Sequence, residues 1–361
     1  MKVEKTKRLY SLDIFRIISA FFVFLFHAKI HINVDFGIFN NFIEMSNIFM
    51  VAFFMLSGFS LYYSNYAKSN QFIGGGYKCM VNFIKKRFLN IFPLYIIVYF
   101  LFLIFWGDNI SIIQNIAILP VEITMLQSVY DGSFSVLNNG GTWFVSCIFL
   151  CYILFPFFFQ FIFNMPKKIV LILCFFLYTI SSYSFINVWL FKFSDIYQNP
   201  FFRIIEFFIG MLIAQLYFTD KEKKISRKYS LVMIVVIMVF VIVITVGVSF
   251  RIQMVQAYNF IAIPVFAVIL YFSSRIENKF EIKYFKKVIL FLSANTYAFF
   301  LAQFFTWRSL IWLLSEKSIF ENIENVMKFF IAFLLCCCIT LIFHYVIENN
   351  IKRIVLARTK I

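Results

Sequence analysis

The chain has 361 residues, of which 62% are hydrophobic, 22% aromatic and only 14% charged, with 55 phenylalanines. A soluble domain draws about a quarter of its residues from the charged set and would aggregate with this much apolar surface, so the composition excludes a soluble enzyme and points to an integral membrane protein. The net charge of +16 does not indicate a nucleic-acid partner, because the basic residues punctuate apolar runs instead of gathering on one soluble face.

The opening MKVEKTKRLYSLDIF has the basic flank of a signal peptide. The apolar run behind it is too long and lacks a small-x-small cleavage site, so a retained first helix is expected. A bilayer core about 30 Å thick needs about 20 apolar residues per helix, and runs of that kind lie near 13–32, 46–64, 88–106, 142–163, 169–190, 201–218, 230–250, 256–273, 288–312 and 325–347. A further run, Ser111 to Gln127, is shorter and holds Gln114, Pro120 and Glu122; it spans, re-enters or lies at the interface.

Lys and Arg accumulate in loops that stay cytoplasmic. With ten spans, and Ser111 to Gln127 not crossing, most of the 33 basic residues fall on one side: those at 2–8, 68–87, 167–168, 221–228, 275–287 and 352–360. Both termini are then cytoplasmic. The expected fold is an all-α polytopic membrane bundle of about ten transmembrane helices, one domain over residues 1–361, with the lipid bilayer as its first partner. Seven cysteines lie in or beside apolar runs without the spacing of a zinc site or a disulfide framework, so they read as buried thiols and no metal is expected. Gly74 to Gly76 lack a strand or P-loop context and read as a turn.

Function is sought at the polar exceptions. Lys29, Lys192, Arg251, Lys317 and Lys328 sit near outer ends of spans, where snorkelling is ordinary; Arg16, Arg203 and Arg308 remain. An ionisable group within a span costs about 2.5 to 3.5 kcal/mol and normally faces a protein-lined or wet cavity. Eleven residues separate Arg16 from His27, which returns them to within about 20° of one helix face, about 16 Å apart along the axis. Asp13 is spaced to pair with Arg16, and His31 prolongs the stripe outward. Arg16 as an interfacial anchor and His27 as a core histidine is the plainer alternative. The shared face favours a site, because an imidazole in an apolar surround can accept a proton from a hydroxyl, as a general base must. Arg203 and Glu206, at i and i+3, either neutralise each other or line a site; Glu348 is either a boundary carboxylate or a lining one.

These residues carry a resemblance. SLDIFRIISAFFVFLFHA, with Asp13, Arg16 and His27, is similar to the opening helix of the acyltransferase 3 family of membrane O-acyltransferases. FFMLSGFSL (Ser57, Gly58), FIKKRFLNIFPLY (Lys86, Arg87), RIIEFFIGMLIA (Arg203, Glu206), LSANTYAFFLAQ (Tyr297, Gln303) and VIENN (Glu348) resemble later family segments in order, and GGTWFVSCIF (Trp143) resembles one of its subgroups. Asn90 stands where a second arginine is often found, Gln303 where a histidine is, Ile148 where one subgroup has a glutamate, and Asn350 where a proline follows the last glutamate.

The resemblance implies an O-acyltransferase moving an acyl group, acetyl by expectation, from cytoplasmic acyl-coenzyme A to a hydroxyl of a cell-envelope or exported glycan or glycolipid, in a bacterial inner membrane. His27 would be the catalytic base, with Arg16 and Asp13 as its partners. Lys86, Arg87, Ser57 and Gly58 would meet the donor, and Trp143, Arg203, Glu206, Tyr297, Gln303 and Glu348 would line the site. No bound cofactor is implied beyond the donor, acetyl-coenzyme A. The rival is a transporter or flippase of a glycan or lipid-linked intermediate; against it, no pair of broken helices stands in matching halves. A reporter fused after Ile361 is expected to report the cytoplasm, and labelling of that tag from outside intact cells would overturn the ten-span arrangement.

Overall fold

In a computed structural model the described residues are 8–106, 111–130, 140–182, 197–220, 227–249, 255–275, 283–316 and 324–351. The basic residues at 2–7, at 221–224 and after 351, together with Lys192, Arg251, Lys317 and the run beyond Ser182, lie outside them. Among the described residues there is no strand. The helices are α1 (Tyr10–Ile32), α2 (Asn40–Glu44), α3 (Phe49–Tyr66), α4 (Ser69–Ile73), α5 (Gly76–Trp106), α6 (Ile112–Ile123), α7 (Trp143–Ile162), α8 (Lys167–Ser182), α9 (Pro200–Thr219), α10 (Arg227–Ser249), α11 (Val255–Arg275), α12 (Lys283–Glu316) and α13 (Asn325–Leu341), the last running into a π-helical turn, Ile342–Glu348.

A helix therefore stands at each of the ten expected places, and the molecule is an all-α polytopic bundle. Among the described residues, seven segments are long and apolar enough to cross a membrane: Tyr10–Ile32, Ser46–Tyr66, Gly76–Trp106, Trp143–Ile162, Pro200–Thr219, Tyr284–Trp312 and Asn325–Ile351. Local signals set the ends. Asn33, in the left-handed region with φ of 53°, stops α1; Asn199 accepts from the Phe201 N–H and Pro200 follows it at the first position of α9. Gly76, with φ of 58°, makes the turn into α5 that no side chain would adopt freely.

Helix directions decide the ambiguous run. Phe83 packs on Phe155 at 4.9 Å and Phe88 on Phe149 at 5.8 Å, so α5 and α7 are antiparallel. The chain between them leaves and returns at one end of the bundle. The 12 residues of α6, about 18 Å long at 1.5 Å per residue, fall short of a crossing. A capping box of Ser111 and Gln114 starts α6, and the Tyr95 hydroxyl donates to Glu122 Oε2 at 2.7 Å, drawing its end into the protein.

Two parallel pairs organise the rest. Along α1 and α12, Asp13 meets Ser293 and His31 meets Trp307. Along α3 and α9, the Tyr62 hydroxyl donates to Gln215 at 2.7 Å and Tyr66 stacks on Phe218 at 3.6 Å. The second pair is in backbone contact. A Cβ on Gly58 would lie 1.9 Å from the Phe207 carbonyl oxygen, and one on Gly210 1.9 Å from that of Met55, the close approach that small residues permit between membrane helices.

At the basic end, Asp220 accepts from Lys167 at 2.9 Å and from the Tyr271 hydroxyl at 2.9 Å, and Arg275 donates to the Asp220 carbonyl at 2.7 Å. Burial opposes the Asp220 charge, but these donors outweigh it and hold the carboxyl below its ordinary range. Gly58→Leu or Gly210→Leu is expected to part α3 from α9 and cost about 1 to 3 kcal/mol or more, read as a lost monodisperse peak on size-exclusion chromatography in detergent; a wild-type profile would show that the contact is dispensable.

Candidate active site

A cavity of about 370 Å³ opens among α1, α3, α5, α7 and α12. Its wall on α3 is Ser57, Ser60 and Ser64, one helical face. Arg16 faces it from α1, Arg87 from α5, Tyr152 from α7, and Ser293, Thr296 and Tyr297 from α12. Phe53, Phe144, Ile148 and Phe300 close its far end, where the Phe144 and Phe300 rings lie 4.5 Å apart. From Ser64 to Phe53 the cavity descends eleven residues of α3, about 16 Å, changing from hydroxyl and guanidinium at the basic end to hydrocarbon inside.

The basic mouth is held by an interhelical hydrogen-bond network. Asp13 is buried and accepts from Arg8 Nε at 2.8 Å, Arg8 Nη2 at 3.1 Å and the Ser293 hydroxyl at 2.6 Å. Arg16 was expected to be the partner of Asp13; its Nη1 pairs with that carboxylate at 4.0 Å and also donates at 3.5 Å to Ser293 Oγ. Arg8 offers two aligned donors and takes the shorter contacts to the carboxylate, so the Arg16 pair is the looser one and its guanidinium also lines the cavity. The arginine on α5 is placed by packing: Arg87 lies 5.2 Å from the Phe83 ring and 5.7 Å from that of Tyr152, and its buried Nε has no hydrogen-bond partner.

His27 lies beyond the cavity. It shares the α12-facing stripe of α1 with Arg16, yet it is absent from the cavity lining. Its ring sits 4.8 Å from Phe304, one turn outward of Phe300, and 5.5 Å from His31. His27 Nδ1 is buried without a hydrogen-bond partner. The expected common groove is therefore two layers, with Arg16 in the inner mouth and His27 past the Phe144–Phe300 floor.

The other candidates disperse. Tyr297 lines the cavity and donates to the Ile91 carbonyl at 3.0 Å. Gly58, expected on the donor, is spent on the α9 backbone, and Lys86 is exposed to one side of the cavity. Arg203 and Glu206 form a fully buried pair at 2.8 Å, with Asn259 donating to the second carboxylate oxygen at 3.5 Å. Trp143 is buried against Tyr197 at 4.9 Å, and the Arg203 guanidinium lies 5.5 Å from that same ring. Glu348 pairs with His344 at 2.8 Å inside the π-helical turn, a deviation common near functional sites. Gln303 is buried with both amide atoms unpartnered. Arg308 is exposed.

Sequence reasoning missed Arg8, Ser60, Ser64, Tyr152, Ser293 and Thr296. The serines on α3 had a readable signal, three hydroxyls at one-face spacing in an apolar helix; Ser293 lies in the segment LSANTYAFFLAQ, where nothing set it apart from its neighbours. Among the described residues no group of three or more His, Cys, Asp or Glu is placed to hold a metal.

Over residues 9–347 the sequence matches the model of a family described as an acyltransferase domain. No curated protein and no solved structure matches the chain.

Removing one half of a buried ion pair leaves an uncompensated charge and costs about 3 to 5 kcal/mol, whereas replacing both halves by apolar residues is often tolerated. Arg203→Met and Glu206→Leu are each expected to lower the thermal midpoint in detergent sharply, and the double variant to recover much of the loss. Additive losses would show that the two side chains act separately.

Proposed function

The chain belongs to the acyltransferase 3 family and is a multi-pass membrane acyltransferase, and on that premise we propose that it moves an acetyl group from acetyl-coenzyme A at the cytoplasmic face to a glycan hydroxyl, in a bacterial inner membrane. The observation that carries this reading is the graded cavity ending one helical turn short of His27. Arg16 and Arg87 at its mouth suit the phosphates of a polyanionic donor, which the basic loops would draw in. The volume of about 370 Å³ is at the small end for a ligand site, so it suits the acyl-pantetheine arm, with the nucleotide left at the basic surface.

In the reaction, His27 takes the proton of the acceptor hydroxyl as its oxygen attacks the thioester carbonyl. The carbonyl carbon–sulfur bond breaks, the ester forms, and coenzyme A leaves as thiolate and collects a proton. The arm must pass Phe144 and Phe300 for the carbonyl to reach His27, so the floor must part when the donor is bound. Arg16, paired with Asp13 only at 4.0 Å, faces the cavity and can meet the donor's negative charge, and Ser293 orients it.

Vesicles holding the protein, given acetyl-coenzyme A labelled in the acetyl group, are expected to fix label on glycan as an alkali-labile ester. His27→Ala is expected to lower that transfer about 100-fold or more with membrane insertion unchanged, and Arg87→Ala to raise the KM for the donor. Glycan moved across the membrane with the label still on coenzyme A would make the protein a translocator; an active His27→Ala would remove the histidine from the chemistry.

A further inference from the structure

Past the aromatic floor, five buried polar atoms on α1 and α12 have no hydrogen-bond partner: His27 Nδ1, His31 Nε2, Gln303 Nε2, Gln303 Oε1 and Trp307 Nε1. Folded chains leave few such atoms, because each forfeits its hydration without compensation. Gln303 and Trp307 are each 1% exposed, so neither recovers the loss from bulk solvent.

These atoms belong to one layer. The His27 and His31 rings stack 5.5 Å apart at 15°, and the His31 and Trp307 rings 5.9 Å apart at 23°, making a column of nearly parallel faces. Phe304 closes it edge-on, 4.8 Å from His27 and 6.1 Å from His31. Phe24 touches Phe299 at 5.6 Å and Trp307 at 5.0 Å. Gln303 lies midway between those two residues on the same stripe of α12, at the height of Phe24 and His27 along the seam. Ser293, which holds the donor end, is ten residues back along α12, about 15 Å.

The chemistry of the layer selects its guest. An acyl tail would leave all five atoms unpaired. A carboxylate or phosphate could accept from the Trp307 N–H and the Gln303 amine but would face the Gln303 carbonyl and the lone pairs of the imidazoles. A hydroxyl both donates and accepts, and several on one ring would satisfy amide, indole and imidazole together while the ring's C–H face lies against flat aromatic surface, the mixture of apolar wall and few polar anchors that ligand sites use.

We propose that this layer is the acceptor subsite: Gln303 and Trp307 bind the hydroxyls of a neutral sugar ring and present one of them to His27. The proposal rests on the acyl-transfer reading above for the role of His27, and on the orphaned polar atoms for the subsite itself.

The test uses the full chain in proteoliposomes, with a panel of neutral methyl glycosides as the probe and two readouts. In the first, label from acetyl-coenzyme A is followed onto the glycoside. Gln303→Leu and Trp307→Phe are expected to raise the acceptor KM tenfold or more with the donor KM unchanged, and Gln303→Asn to recover part of the loss. A fall in kcat at constant acceptor KM, or a rise in the donor KM, would overturn the subsite. The second readout needs no turnover: the glycoside is expected to protect His31 from diethyl pyrocarbonate, scored on its peptide by mass spectrometry, and Gln303→Leu to abolish that protection. Protection without any ester formed would keep the sugar site and remove acyl transfer; ester formed without protection would keep the transferase and remove this subsite.

Discussion

The seam between α1 and α12 carries both layers of the site, and it is fixed at the basic end by one hydroxyl. Ser293 donates to Asp13 at 2.6 Å and accepts from Arg16 at 3.5 Å, so it bridges a carboxylate and a guanidinium that stand 4.0 Å apart. With that end pinned and the helices parallel, every residue further out falls into register: Phe24 against Phe299, His27 against Phe304, His31 against Trp307. A hydrogen bond at the membrane face thus sets the position of an imidazole about 16 Å away through nothing more than two rigid rises of 1.5 Å per residue.

The wall opposite that seam depends on a different constraint. In lipid, helices gain little from mutual hydrophobic attraction and associate through close packing. Gly58 and Gly210 let α3 and α9 touch backbone to backbone, which anchors α3 on one face and leaves the face with Ser57, Ser60 and Ser64 for the cavity. The buried Arg203–Glu206 pair sits on the α9 side of this arrangement. Its charges are neutralised locally in a tight contact, while Arg16 holds a looser pair with Asp13 at 4.0 Å and lines the cavity.

Much of the fold was legible because lipid constrains it so tightly: spans must be long and apolar, and basic residues mark their ends. The stripe of Asp13, Arg16 and His27 was equally legible, since helical spacing alone determines a shared face. What crosses between helices was not. Ser293 lies 280 residues from Asp13, and nothing in its neighbourhood announces the contact. Gly58 shows the limit from the other side: a glycine approached by a ligand and one approached by another backbone read identically in sequence. Ser111 to Gln127, with Gln114, Pro120 and Glu122, stayed open in sequence between spanning, re-entering and lying at the interface, because the hydrogen bond from Tyr95 that holds Glu122 is made between helices.

The apolar partition made by Phe53, Phe144 and Phe300 has a consequence for permeability. Aromatic hydrocarbon at the inner end of the cavity strips a small ion of its hydration and offers nothing in return, so that end of the cavity insulates against a leak of protons or sodium.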